Sequence, residues 1–118
     1  MIQADIFKAI SDSISVQAIA GSRIYPVRLP REAVLPAVVY QIPSVEPVNS
    51  ISGDSGIDNA SVQVVSWAKE YATAHELAAA VRSALIGSGL RIVTESQNDD
   101  EDIETRSYSV VLNFRVWT

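Results

Sequence analysis

The sequence contains no cysteine and only one histidine, His75, among its 118 residues. Without cysteine the chain has no disulfide, no thiol nucleophile and no cysteine-ligated zinc or iron–sulfur site. One histidine cannot supply a site that needs two imidazole groups. No motif typical of a nucleophilic enzyme or a metalloprotease surrounds His75, so we interpret it as a histidine on a helix surface.

Long apolar runs and clusters of basic residues are also absent. The apolar runs reach only four or five residues, too few to cross a bilayer. Residues 1–8 carry an early acid and are not followed by a cleavage site, so we expect no signal peptide and no secretion. The nine Lys and Arg residues are scattered, which argues against a groove for DNA or RNA. These features together predict a soluble cytoplasmic protein.

The acidic residues are unevenly distributed. Six of the 14 Asp and Glu residues lie within residues 95–104, which contain no base, and the other 108 residues hold eight acids and nine bases. This segment lacks the spacing of an EF-hand. Six like charges repel one another unless a basic partner neutralises them. We interpret the segment as a solvated surface or as an electrostatic contact with a partner, and both interpretations stay open.

The hydrophobic pattern predicts one compact α+β domain over residues 1–118. It indicates helices over 2–13 and 70–86 and strands over 37–42, 60–67, 90–95 and 106–117. Thr73 and Glu76 fit a capping box for the second helix, although the alanine-rich pattern indicates that this helix begins a little earlier. The order α-β-β-α-β-β predicts a four-stranded, mainly antiparallel sheet with two helices packed on one face.

Two polar segments are the candidate contacts with other proteins. Residues 49–59 are rich in Ser, Gly, Asp and Asn and predict a long loop, either a flexible connection or a segment that orders against a partner. The acidic segment predicts a hairpin tip over residues 97–104. The candidate contact residues are Ser52, Gly53, Asp54, Gly56 and Asp58 in the loop and Asp99, Asp100, Glu101 and Asp102 in the tip. We expect no catalytic residue, no metal site and no cofactor.

Several short sequence segments occur in an order that is typical of a known family. GSRIYP at residues 21–26 is followed by LPREAVLPAVVYQ at 29–41, and a valine-rich strand leads into WAKEYATAHELAAAVRSAL at 67–85. A closing hairpin with a long alternating strand ends the chain. Over nearly its whole length the sequence resembles the tail completion, or tail terminator, proteins of long-tailed bacteriophages and prophages.

This resemblance implies a virion structural protein that is not an enzyme. It implies a ring, usually of six copies, at the head-proximal end of the tail tube, which stops tube polymerisation and supports head–tail joining. The implied partners are further copies of the chain, the tail-tube protein and the head–tail connector protein, with assembly in the host cytoplasm before incorporation in the virion. The loop over 49–59 and the acidic tip would make two of these contacts.

Two other classes of function stay open. One is a different phage neck component, such as a head-closure protein or a connector adaptor. The other is a small enzyme or an acidic inhibitor that mimics DNA. A DNA mimic would distribute its acids over a surface, whereas this chain concentrates them in one segment, so the mimic is disfavoured.

Overall fold

The computed structural model describes residues 2–50, 53–104 and 106–117, with side chains for residues 3–43, 59–104 and 106–117. In chain order the elements are α1 (Ile2–Ser11), α2 (Ile14–Ala20), β1 (Ile24–Pro26), β2 (Ala37–Ser50), β3 (Gly53–Ala68), α3 (Tyr71–Ile86), β4 (Arg91–Asp102) and β5 (Ser107–Trp117). The fold is therefore α+β. In this part of the chain no helix is long and apolar enough to cross a membrane.

The prediction of a four-stranded, mainly antiparallel sheet with two helices is wrong. The sheet has five strands in the order β1-β2-β3-β5-β4, and β1 pairs with β2 in parallel. The other three pairs are antiparallel. The extra strand β1 was missed because it is three residues long, ends in Pro26 and pairs only with Val38–Tyr40. So short a strand leaves no periodic pattern in the sequence.

The N-terminal part of the chain forms two helices where one was predicted. The predicted helix over residues 2–13 corresponds to α1, but α2 was not expected. Ser13 separates the two helices, with an extended backbone and a side chain that accepts a hydrogen bond from the Val16 amide at 3.3 Å. A serine at this position satisfies one of the amides that a helix N-terminus leaves unpaired.

The core lies between the helices and one face of the sheet. Fully buried residues on the helices are Ile6, Ile10, Val16, Ala20, Ala74, Leu77, Val81 and Leu85. They pack against the alternating apolar residues of the central strands, which are Val62 and Val64 on β3 and Val110, Leu112, Phe114 and Val116 on β5. The predicted half-buried strand over 106–117 is thus confirmed as β5, with its apolar side toward the helices.

The opposite face of the sheet has no helix on it in the described part of the chain. We call it the helix-free face. Its residues alternate with those of the core along each strand and include Val39, Gln41, Ser61, Gln63, Val65, Trp67, Val111, Asn113 and Arg115. Ala37, Val39, Ser107 and Ser109 on this face are buried, and the other side chains named here are half-buried. Because the face combines valine and tryptophan with amide side chains that are half-buried, it can be solvated in the free chain and can also contact a partner.

The prediction of a loop over residues 49–59 is wrong, because most of these residues lie in β2 and β3. β2 pairs with β3 as far as Ser50 opposite Gly53, whereas β5 joins β3 only from Asn59 onward. Residues 47–50 and 53–58 therefore form a two-stranded ribbon that continues past the rest of the sheet, and the molecule is 52 Å long. We call this segment the ribbon. A two-stranded hairpin is marginally stable by itself in water, so the ribbon gains from contact with another surface.

Candidate assembly surfaces

Amide side chains occupy the centre of the helix-free face. Gln41 and Gln63 lie directly opposite each other on β2 and β3, and the Gln41 Nε2 donates a hydrogen bond to the Gln63 Oε1 at 2.9 Å. Asn113 on β5 donates from Nδ2 to the Ser96 Oγ of β4 at 2.9 Å. Each pair uses part of its hydrogen-bonding capacity, because an amide group has two donor hydrogens and two acceptor lone pairs. The remaining groups can bind a partner.

Arg115 organises the end of the helix-free face nearest the ribbon. Its guanidinium donates to the Asn59 Oδ1 at 2.9 Å and to the Ser61 Oγ at 3.4 Å, and its Nε lies 3.5 Å from the Glu95 carboxylate. Glu95 is the acid at the irregularity in β4, between Thr94 and Ser96. This network ties β3, β5 and β4 together where the ribbon leaves the sheet.

A groove lies where the chain after β1 passes over the helix-free face. Val27, Arg28 and Leu29 form one wall, β2 and β3 form the floor, and the volume is about 260 Å³. Val27 has a φ of 69°, and the Arg28 amide donates to the Pro26 carbonyl at 2.7 Å. This is a γ-turn with positive φ, a strained conformation for a β-branched residue. The Val27 side chain is 61% exposed there.

A second polar cluster lies on the helix side of the sheet, between α3 and β4. The Tyr71 hydroxyl donates to the Asp99 Oδ2 at 2.5 Å, and the His75 Nε2 lies 3.1 Å from the Asp99 Oδ1. The His75 Nε2 atom is buried beside this carboxylate. The ring of Tyr71 also packs at a tilt against His75 and edge-to-face against Tyr108, with ring centroids 4.6 and 5.7 Å away.

The hydrogen bond between Tyr71 and Asp99 shifts the pKa of both groups. It lowers the pKa of Asp99, with His75 contributing in the same direction, because the charged carboxylate is the better acceptor. It raises the pKa of Tyr71, with burial and the negative charge of Asp99 adding to the effect. The cluster therefore holds β4 against α3 over the pH range in which Asp99 is ionised and Tyr71 is protonated.

The structure bears on two expectations about α3. His75 lies on the surface of this helix with its side chain 34% exposed, and it also contacts Asp99 and Tyr71. The helix that carries it begins at Tyr71 with Glu70 at the N-cap and no side-chain cap, so the capping box of Thr73 and Glu76 is wrong. The four-residue spacing of Tyr71 and His75 could have indicated a shared helix face. Nothing in the sequence pointed to Asp99 as their partner.

The acidic segment is mostly strand and not a tip. β4 continues to Asp102, and Ile103, Glu104 and Arg106 lie in the turn that follows. Asp99, Asp100 and Glu101 are exposed, and Asp102 is half-buried. Asp99 lies opposite Val110, whose side chain is in the core, whereas Asp100 lies opposite Ser109, so successive carboxylates alternate between the two sides of the sheet. Among the described residues no three His, Asp or Glu side chains converge on a metal position.

The turn itself presents an apolar residue that was not among the predicted contacts. Ile103 is 81% exposed, between Asp102 and Glu104. Most turn positions take small polar residues or glycine. An isoleucine in an otherwise acidic segment is the signal that could have identified it.

The candidate residues of the ribbon are only partly placed. Ser52 lies outside the described residues. Gly53, Asp54 and Asp58 lie on β3 opposite Ser50, Asn49 and Pro47. Gly56 is in the same strand.

The structure separates the two sets of candidate contacts that were predicted from the sequence. The ribbon leaves the sheet beyond Asn59, whereas Glu101 and Asp102 lie beside Tyr108 and Ser107 near the other end of β3. Ten residues of strand between these ends correspond to roughly 33 Å. The two sets thus cannot belong to one site in a single copy of the chain.

Comparison with known proteins decides the family. The sequence profile of the family described as "Tail completion protein gp17" matches residues 4–118. The chain belongs to this family. It is therefore a structural protein of the tail or neck of phage-type particles.

The fold has a counterpart in a solved particle. A chain in the structure titled "Virion of native gene transfer agent (GTA) particle" is similar to 98% of this tail completion protein, with a TM-score of 0.69, 21% identity and 92% of that chain covered. No curated protein sequence matches the chain. At this identity the structural match establishes a shared fold.

Proposed function

We propose that this tail completion protein forms a ring at the head-proximal end of the tail tube and ends tube polymerisation there. The ring would be made of further copies of the chain, six in the form that the family resemblance implies. Its outer side would present the surface on which the head–tail connector docks. The family match over residues 4–118 is the observation that carries the proposal.

The architecture supports this role because it provides separate surfaces. A ring subunit must bind two neighbours, the last ring of the tube and the connector. The ribbon lies at one end of the sheet, the acidic end of β4 lies at the other, and the helix-free face lies between them. We assign Gly53, Asp54, Gly56 and Asp58, together with Ser52, to one of these contacts, and the exposed carboxylates of β4 to another.

The function requires occlusion and no chemical step. Each subunit that joins the tube end would cover the surface that templates the next ring of tube protein, so growth stops. A cofactor or a metal has no part in this mechanism. In the finished particle the protein would be located in the virion, after assembly in the host cytoplasm.

Deletion of the gene in an inducible phage or prophage tests the proposal. We expect free heads together with unjoined tails of abnormal or excessive length, seen by electron microscopy of the lysate. Supplying the protein from a plasmid should restore joined particles.

Two results would contradict the terminator role. Tails of normal length attached to heads would show that the protein is dispensable for both steps. Tails of normal length beside heads that lose DNA and do not join would assign the protein to head closure instead.

A further inference from the structure

We propose that the turn between β4 and β5 of one copy docks in the groove on the helix-free face of the next copy. Ile103 would enter the groove, and the exposed carboxylates of Asp100, Glu101 and Glu104 would face Arg28 and Arg31. This inference rests on the proposed ring and names the contact that joins its subunits. The occupant of the groove is a second copy of this chain because the same chain carries both complementary surfaces.

The groove has a floor of apolar and amide side chains and one basic residue, Arg28, in its wall. Val65 and Trp67 of the floor are half-buried, and Val27 of the wall is 61% exposed. Arg28 lies in the wall of the groove, and Arg31 follows it three residues later in the chain. Both are exposed, and within the described ranges their guanidinium groups have no hydrogen bond or ion pair. An unpaired arginine in the wall, with a second one close by in the sequence, favours a partner that is apolar at its centre and acidic around it.

The strain at Val27 also points to this groove. Positive φ in a β-branched residue is rarely adopted, and such strain persists where the surrounding structure imposes it. Here the Val27 amide donates to the Tyr40 carbonyl at 2.8 Å, which holds the turn against β2. The strained turn thus displays a largely exposed apolar side chain at the edge of the groove.

The turn after β4 has the complementary character. Ile103 is 81% exposed, and residues 99–106 carry five acids against one base, Arg106. Asp99 is engaged with Tyr71, which fixes the end of β4 against α3. Asp100, Glu101 and Glu104 remain exposed around Ile103. The turn thus projects from a strand end that is held against α3, and it has an apolar residue at its centre and acidic residues around it.

The positions of the two surfaces suit a ring. The groove lies toward the β1 side of the sheet and the turn lies at β4, on the opposite edge. The two surfaces share no residue, so one copy can insert its turn into one neighbour while it receives the turn of the other. Such a head-to-tail contact is heterologous, and it closes into a ring when the rotation between copies allows.

Cysteine cross-linking tests the contact directly, because the chain has no native cysteine. The double variant Val27→Cys/Glu104→Cys is supplied to the deletion strain, and tails or particles purified from it are treated with a short bis-maleimide. We expect a ladder of covalent oligomers of this chain. Each single variant alone should remain monomeric, and co-expression of the two single variants should give dimers only.

The matched control is Ala79→Cys/Glu104→Cys, in which the first cysteine lies on the exposed side of α3. This control should give no ladder. The proposal is overturned if joined particles with the Val27/Glu104 pair yield only monomer, or if the cysteine at residue 104 cross-links to a different protein. In those cases the terminator role still stands, since it is tested by the deletion and not by the cross-link.

A charge exchange gives a second test that preserves Ile103. Arg28→Glu/Arg31→Glu and Asp100→Arg/Glu104→Arg should each lower the titre of joined particles by at least about tenfold, because like charges would face each other. Combining all four substitutions should restore the titre to within about threefold of the wild type, since opposite charges meet again. Failure of the combined variant to recover, with both parents impaired and folded, would overturn the proposal.

Discussion

The two faces of the sheet differ in what their side chains do. On the face toward the helices, Val110, Leu112 and Phe114 have no exposed surface and form the core. On the helix-free face, Val111 and Asn113 alternate with them along the same strand but are half-buried. Along residues 110–115, one side of the strand thus forms the core and the other side is left available for contact. The comparison indicates that substitutions on the two faces should have separable consequences.

The largest effect on folding should come from truncating Val110, in comparison with its neighbour Val111 on β5. Val110→Ala removes two buried methyl groups and should lower the free energy of unfolding by about 2 kcal/mol. Val111→Ala makes the same chemical change on the helix-free face and should cost less than about 1 kcal/mol, because Val111 is half-buried. Urea denaturation of both variants measures the difference. Equal losses would show that the helix-free face is as much a part of the core as the other.

The stability of the fold should depend to a smaller extent on Ser13, which caps α2. Ser13→Ala removes the side-chain acceptor that caps α2 and should cost about 1 kcal/mol. Ser15→Ala in the exposed first turn of the same helix is the matched control and should leave stability nearly unchanged. Thermal melts of the two variants test the cap. A Ser13→Ala protein as stable as the control would mean that the cap contributes nothing.

The polar network on the helix-free face should contribute still less to folding. Arg115→Ala removes the contacts with Asn59, Ser61 and Glu95, but the groups are partly exposed, so the loss should stay below about 1 kcal/mol. Denaturation in low and high salt checks this expectation. A loss above that of Val110→Ala would place the network in the structural core.

The cluster of Tyr71 and Asp99 should be visible mainly as a pH dependence. Because the pKa of Asp99 is lowered in the fold, its contribution is present above about pH 3.8 and is lost as the pH falls through the folded value. Because the pKa of Tyr71 is raised, its contribution is present below about pH 10 and is lost as the pH rises through the folded value.

A variant without the carboxylate separates this cluster from the rest of the acidic strand. Asp99→Ala should flatten both limbs of the curve of stability against pH, whereas Asp100→Ala should leave them in place. Melting temperatures measured from acid to alkaline pH make the comparison. Parallel curves for Asp99→Ala and the wild type would contradict the assignment.

The sequence predicted the regular elements better than their connections. The alternation in residues 106–117 and the apolar stripe in 70–86 identify β5 and α3 to within one residue at each end. Both elements are long, and their patterns depend only on which side faces the core. The family resemblance was also confirmed.

The features that the sequence did not reveal depend on contacts between distant residues. The parallel pairing of β1 requires β2 to be in place, and the Ser- and Gly-rich start of β3 is extended because it pairs with β2 across the ribbon. The carboxylates of residues 99–102 lie in a strand because β5 pairs with them, against their low intrinsic preference for β structure. The contact of Asp99 with Tyr71 spans 28 residues and leaves no local pattern.

The most direct test of the account compares one arginine placed on each side of the molecule. Gln63→Arg lies on the helix-free face, and Ala79→Arg lies on the exposed side of α3. Both variants should fold with nearly wild-type melting temperatures, and each is supplied to the deletion strain for electron microscopy of the particles. We predict overlong, unjoined tails with Gln63→Arg and normal joined particles with Ala79→Arg. Normal joined particles with a folded Gln63→Arg protein would contradict the claim that the helix-free face serves assembly.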